Sequence, residues 1–234
     1  MKVAILGYGE IGKAIAKFYK KIYVKDLDRD DGIEDCDVLH VCIPYNCQFV
    51  KTIKSVINKS KAKLTIIHST VQLCATKKIG GNVVHSPCRG VHPDLSKSIK
   101  TFVKYIGADD MKAGKEAEKH LNSIGIKTKL VKGSRNTEAM KLWETTQNMA
   151  QVILNKEIWD YCQKHKLDFS TVYSDHNRTF NEGYKKMAKK DWMLQILKFM
   201  SGKVGGHCQT PNAKLLGVPL SKFLLKRNEI LGKN

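Results

Sequence analysis

Apolar and polar positions divide the chain into two regimes. It opens on Val3-Ala4-Ile5-Leu6, a run without a polar residue, as expected of a strand buried on both faces. Gly7-Tyr8-Gly9-Glu10-Ile11-Gly12 follows, and then Lys13 to Tyr19, where apolar residues recur at helical spacing. Further short apolar runs occur at Ile22-Tyr23-Val24, Asp37 to Ile43 (closed by Pro44), Leu64 to His68, Asn82 to His85, Phe102 to Gly107 and Thr128 to Val131. The stretches from about Cys47 to Asn58 and from about Met111 to Ser123 predict helices between them. This alternation predicts an α/β fold, a Rossmann-type, mostly parallel sheet covered on both faces and closing near Gly133.

The second regime is helical. Thr137 to about His165 predicts one long helix, with Met140, Trp143, Ala150, Leu154, Ile158 and Cys162 along one stripe and Leu142, Val152, Ile153 and Trp159 off it. A helix apolar on more than one face is buried within its subunit or against another, and a homodimer through the 137–165 helix is expected. Phe169 to Tyr184 has no decisive pattern. Lys185 to Met200 predicts a helix, and Gly202 to Cys208 a glycine-rich turn before a helical tail.

The opening strand, glycine turn and helix carry candidate chemistry. In a dinucleotide-binding unit Gly7 allows the tight turn, Gly9 the approach of the pyrophosphate to the backbone, and Gly12 close packing of helix on strand; Glu10 and Ile11 lie in the first helical turn, where N–H groups favour phosphate. Asp26 ends the second strand, about 20 residues on, where a carboxylate binds the ribose hydroxyls. It argues for NAD over NADP, although the flanking Lys25 and Arg29 suit a 2′-phosphate. Pro44 and Ser69-Thr70 follow strands whose C-terminal ends should share the same edge of the sheet. The expected organisation is an NAD-binding Rossmann domain over 1–133 and an all-helical substrate and dimerisation domain over 134–234.

Composition narrows the class. The chain has 234 residues, enough for one large domain or two modest ones. It contains no long uncharged apolar stretch, and its N-terminus reads as a strand, so a soluble cytoplasmic protein is expected, with no membrane partner. Seven cysteines without a Cys-x-x-Cys pair fit reduced thiols. A net charge of +19 invites a nucleic-acid reading. The lysines are spread end to end, however, and arginine occurs only at 29, 89, 135, 178 and 227, so only non-specific nucleic-acid binding is expected. His85, Cys88 and His92 are zinc-ligand types in a short span, but no fourth ligand lies nearby and no metal is expected.

Four segments together resemble the UDP-glucose/GDP-mannose dehydrogenase family, within the 6-phosphogluconate-dehydrogenase-like superfamily: Gly7 to Gly12, Ser69-Thr70-Val71, Glu138-Ala139-Met140-Lys141 and Gly205-Gly206-His207-Cys208. The resemblance implies NAD-dependent oxidation of a hydroxyl on a polar, anionic substrate such as a sugar nucleotide or sugar acid. Lys141 takes the place of the lysine that stabilises the developing oxyanion, Thr70 that of the threonine that helps position water, and Cys208 that of the nucleophile that attacks the aldehyde, with His207 beside it. Oxidation to a carbonyl needs only Lys141 and the cofactor; onward oxidation to an acid needs Cys208.

The chain also departs from the family pattern. Thr145 stands where the family has asparagine, with Asn148 as a substitute near Lys141's face, and Asn212 stands where it has aspartate. Pro87-Cys88 replaces Pro-Glu. Family members continue into a further domain that holds the sugar nucleotide, so the resemblance is to a short, divergent member. Beta-hydroxyacid dehydrogenases of the same superfamily are the alternative: they make a single hydride transfer, and Arg89 would contact the substrate carboxylate. A non-catalytic NAD-binding protein is a further alternative.

Overall fold

A computed structural model describes residues 1–90, 93–206 and 208–231. The apolar runs form β1 (Val3–Leu6), β2 (Tyr23–Asp26), β4 (Val38–Val41), β5 (Leu64–Ile67), β6 (Val83–His85), β7 (Lys104–Ala108) and β8 (Thr128–Lys132), and a two-residue strand, β3 (Arg29–Asp30), closes a hairpin on β2. Helices α1 (Glu10–Ala16), α2 (Phe49–Ser60), α3 (Ala75–Ile79), α4 (Leu95–Thr101) and α5 (Met111–Ser123) lie between them. One eight-stranded sheet results, in the order β3-β2-β1-β4-β5-β6-β7-β8. It is parallel except at the β2–β3 hairpin and the β6–β7 pair. The Rossmann-type α/β reading holds.

Strand residues alternate between two cores, which is why the runs contain no polar face. Val3, Ile5, Val38, Ile66 and Ile106 pack with α1, α4 and α5, whereas Ala4, Leu6, Leu39, Val41 and Ile67 pack with α2 and α3. From β1 the chain goes outward to β2 and β3, then returns to β4 on the other side of β1. The order therefore reverses between β1 and β4, where open α/β sheets form a crevice beyond their strand ends.

The chain divides into two compact units, Met1–Leu142 and Trp143–Asn234, and the boundary falls inside α6 (Ser134–His165). After α6 come a π-helical turn (Ser170–Asp175), α7 (His176–Lys186), a 3₁₀ turn (Lys190–Trp192), α8 (Gln209–Leu216) and α9 (Pro219–Leu231). Met149, Ile153, Val204, Ala213, Leu224 and Leu231 form the core of the second unit. Among the described residues no helix is long and apolar enough to cross a membrane.

One sequence expectation is overturned. Lys185 to Met200 is not a helix: α7 stops at Lys186, and apart from the 3₁₀ turn the segment is irregular. Side chains hold its backbone in place of a helical ladder. Asn181 donates to the Leu194 carbonyl and accepts from its N–H, Tyr173 Oη donates to the Gln195 carbonyl and accepts from Leu197 N–H, and Asn155 donates to the Leu197 carbonyl. Phe199 then stacks on Trp159 with ring centroids 4.0 Å apart.

Candidate active site

At the end of β1 the chain turns at Gly7 with φ +92°, and its N–H bonds the Lys25 carbonyl at 2.9 Å. A Cβ at Gly7 would lie 2.8–2.9 Å from Ile43 and the Cys42 carbonyl carbon, and one at Gly12 would lie 2.1 Å from the Gly7 carbonyl oxygen. Both glycines are therefore required by close packing. Gly9 differs: a Cβ there would meet nothing within 4 Å. Packing inside the protein gives no reason for glycine at 9, and the open space lies before Glu10 and Ile11, in the first turn of α1.

From this turn a line of contacts runs across the strand ends. Asp26 Oδ2 accepts from Tyr8 N–H at 2.5 Å, tying the end of β2 to the glycine turn. Gly7 abuts Ile43, the residue before Pro44, and Ser69 Oγ donates to the Ile43 carbonyl at 2.6 Å. His85 Nε2 donates to the Ser69 carbonyl at 3.1 Å, so its Nδ1 accepts from Thr137 Oγ1 at 2.8 Å. Thr137 lies on α6 one turn before Lys141, so the two share a face of the helix. Gly7, Gly9, Glu10, Ile11, Gly12, Asp26, Pro44, Ser69, Thr70 and Lys141 thus belong to connected segments of one unit.

The start of α6 is held firmly. Asp109 accepts from Ser134 N–H and Oγ–H, at 3.2 and 2.6 Å. The buried carboxylate of Glu138 accepts from Cys74 N–H at 2.6 Å and Thr76 N–H at 2.9 Å, capping the start of α3. At Gly107 of β7 a Cβ would lie 2.2 Å from Thr137 Oγ1 and 3.0 Å from Ser134 Cα, so the glycine lets α6 rest on the sheet.

Lysine charges act on the His85 end of this line. Burial, with a smaller contribution from the charges of Lys104 and Lys141, pushes the His85 imidazole down to about 3. Lys104, itself buried, donates to the Pro87 carbonyl at 3.0 Å and to Cys88 Sγ at 3.4 Å, fixing the loop that carries Arg89. Burial also lowers the Lys104 ammonium. At the other end, Lys25 pairs with Asp30, and Arg29 pairs with Asp31 at 2.6 Å while lying over the Tyr8 ring.

No family model matches the chain, and no curated protein matches it. Solved structures do. UDP-D-ManNAc dehydrogenase from Pyrococcus horikoshii aligns with TM-score 0.78 at 18% identity, over 99% of this chain and 69% of its own. Mycobacterium tuberculosis 3-hydroxyisobutyrate dehydrogenase, solved with L-serine, aligns with TM-score 0.70 at 13% identity, over 96% and 91%. Psf3 in complex with NADP+ and 2-OPP aligns with TM-score 0.61 at 13% identity, over 97% and 93%. The chain has the fold of UDP-sugar and 3-hydroxyacid dehydrogenases. It spans about two thirds of the length of the UDP-sugar enzymes.

Of the remaining candidates, Arg89 is half-buried in the first unit with its guanidinium 5.7 Å from the Phe102 ring centroid, and the others lie in the second unit or outside the described residues. Asn148 is exposed on α6, and Cys208 is exposed at the N-terminal end of α8, where its carbonyl accepts from Asn212 N–H at 3.1 Å. Thr145 and Asn212 are buried. His207, and the His92 of the zinc reading, lie outside the described residues. Among the described residues no group of three His, Cys, Asp or Glu side chains is arranged to hold a metal. Sequence reasoning missed the part played by Thr137 and the bridging geometry of His85. A histidine ending an apolar strand was the available signal.

Proposed function

We propose that the protein is an NAD-dependent dehydrogenase that oxidises a hydroxyl group of a polar, anionic substrate, a sugar nucleotide or a related sugar acid. The line of contacts from Asp26 through Tyr8, Gly7, Ile43, Ser69 and His85 to Thr137 carries this reading, because it joins a ribose-binding carboxylate, a phosphate-binding turn and the helix turn of Lys141. The open side of Gly9 fits a pyrophosphate. NAD is favoured over NADP because Lys25 and Arg29 already face Asp30 and Asp31, while Asp26 would repel a 2′-phosphate.

Bound NAD supplies a hydride acceptor. Lys141 then holds the reacting oxygen, where negative charge develops, Thr70 orients the substrate or a water, and Arg89 takes a carboxylate or phosphate through its paired N–H groups. The basic surroundings of Lys104 and Lys141 favour an anion. Thr145, Asn212 and Cys88 provide no carboxylate base, which favours the single oxidation of beta-hydroxyacid dehydrogenases as the alternative to a double oxidation. Cys208→Ser separates the two, abolishing acid formation only if the second step occurs.

The reading includes a homodimer through the 137–165 helix. Trp143, Leu154 and Tyr161 are 44, 52 and 57% exposed and lie along one stripe of α6, spaced by whole turns. Calorimetric titration with NADH and with NADPH tests the cofactor, and a screen of sugar nucleotides and hydroxy acids for NADH formation tests the activity. Binding that favours NADH, with turnover, is expected; tight NADH binding with no turnover would support the non-catalytic alternative.

A further inference from the structure

The core between the sheet and helices α1 and α5 contains a row of titratable rings that the proposed chemistry does not use. His40 of β4 and His68, just after β5, share the strand face of Val38 and Ile66 and are almost fully buried. Tyr19, following α1, and His120 of α5 meet them there. His120 Nε2 lies 2.7 Å from Tyr19 Oη, Tyr19 Oη 2.8 Å from His40 Nε2, His40 Nδ1 2.8 Å from His68 Nε2, and His68 Nδ1 3.0 Å from the Ser86 carbonyl oxygen. The His40 and His68 rings are stacked, with centroids 5.0 Å apart.

Donor and acceptor accounting fixes every hydrogen in this row. A carbonyl only accepts, so His68 Nδ1 carries its hydrogen, and in a neutral ring His68 Nε2 must accept. His40 Nδ1 then donates to it and His40 Nε2 accepts from the Tyr19 hydroxyl, whose oxygen takes the hydrogen of His120 Nε2. The remaining nitrogen, His120 Nδ1, makes no hydrogen bond among the described residues. With the neighbouring hydrogens held in place, a proton added to His40 or His68 would set two donors against each other; every bond is kept only when the additional hydrogen sits on His120 Nδ1, whichever ring of the row then carries the charge.

We propose that Tyr19, His40, His68 and His120 form a one-way hydrogen-bond relay, loaded only at His120 Nδ1, that positions the Ser69–Thr70 turn and the Ser86 loop. Protonating His120 makes it a stronger donor and polarises each following bond in the same sense. His68 directly precedes Ser69, and its carbonyl accepts from Cys88 N–H at 3.4 Å, so both loops feel the change. Among the described residues, the charged and titratable groups acting on His40 and His68 from outside the row are Lys104 of β7 and His85 of β6, and Lys104 in turn faces Cys42 and Cys88. Burial holds all three histidines of the row below the ordinary imidazole value, and His120, at 7% exposure against 0 and 1% for His40 and His68, is the least enclosed. The importance of the turn for catalysis rests on the function proposed above, whereas the relay does not.

Imidazole 15N NMR on the full chain tests it without any ligand. Expected are Nδ1–H forms of His40 and His68 and the Nε2–H form of His120. On acidification His120 should titrate first, and His40 Nε2 and the Ser69, Thr70 and Ser86 amides should shift at its midpoint. In Tyr19→Phe these shifts should disappear from the His120 titration. An Nε2–H form of His40 or His68, or amides indifferent to His120 in the wild type, overturns the proposal, as does an unchanged response in Tyr19→Phe. If Tyr19→Phe does not fold, the wild-type tautomers and titration decide.

Discussion

The two units treat their apolar surface differently. In Met1–Leu142 both faces of the sheet are covered, and among the polar groups inside, His40, His68, His85 and Glu138 are hydrogen-bonded. In the second unit, Trp143, Leu154, Tyr161, Trp192, Met200 and Phe223 are 44–72% exposed. The first unit exposes fewer such residues, among them Leu27 and Phe102. The proposed site draws mainly on the first unit, and the proposed self-association on the second.

The contrast can be broken most strongly at the glycine turn. Gly12→Val should weaken NADH binding by more than about 100-fold, about 2.7 kcal/mol, in a calorimetric titration, because the turn cannot keep its shape around the new side chain. In the second unit, Leu154→Glu should weaken self-association by about 100-fold, read by sedimentation, through burial of an unpaired carboxylate at the interface. Monomer stability should change little, since Leu154 is exposed.

Smaller effects sharpen the same picture. Gly107→Ala should cost about 2–3 kcal/mol in denaturant unfolding, because the new methyl group meets Thr137 and the α6 backbone. Acidification should destabilise the first unit. His40, His68, His85 and His120 are held below their ordinary value when folded, so the unfolded chain binds more protons once the pH falls below about 6.5. Stability is then lost at up to about 1.4 kcal/mol per pH unit for each histidine, down to about pH 3 for His85. A set of urea midpoints against pH reads the slope. The smallest effect is at Arg29→Ala, which removes a solvent-exposed pair with Asp31 and should change NADH affinity by less than about threefold.

Much of this was legible in the sequence. Val3 to Leu6, Val38 to Val41 and Leu64 to Ile67 are dominated by apolar residues because both faces of a parallel sheet are covered, and runs this short between turn residues suit a strand better than a buried helix. The tight turn at Gly7 and the close packing at Gly12 could be read because strand, turn and helix are adjacent in sequence. Helices α3 and α4 escaped notice because five and seven residues hold too little periodicity. Lys185 to Met200 misled because its apolar spacing suits a helix, while Asn155, Tyr173 and Asn181, distant in sequence, claim its backbone. The relay was beyond sequence reading for the same reason, since Tyr19 and His120 meet across 101 positions.

Paired NADH titrations of the wild type and Gly9→Asp ask whether the open side of Gly9 receives a dinucleotide phosphate, as proposed. A Cβ at Gly9 touches nothing, so the variant should keep its melting temperature while NADH binding, clear in the wild type, is lost. Equal binding by both proteins, or none by the wild type, would contradict a phosphate site at Gly9.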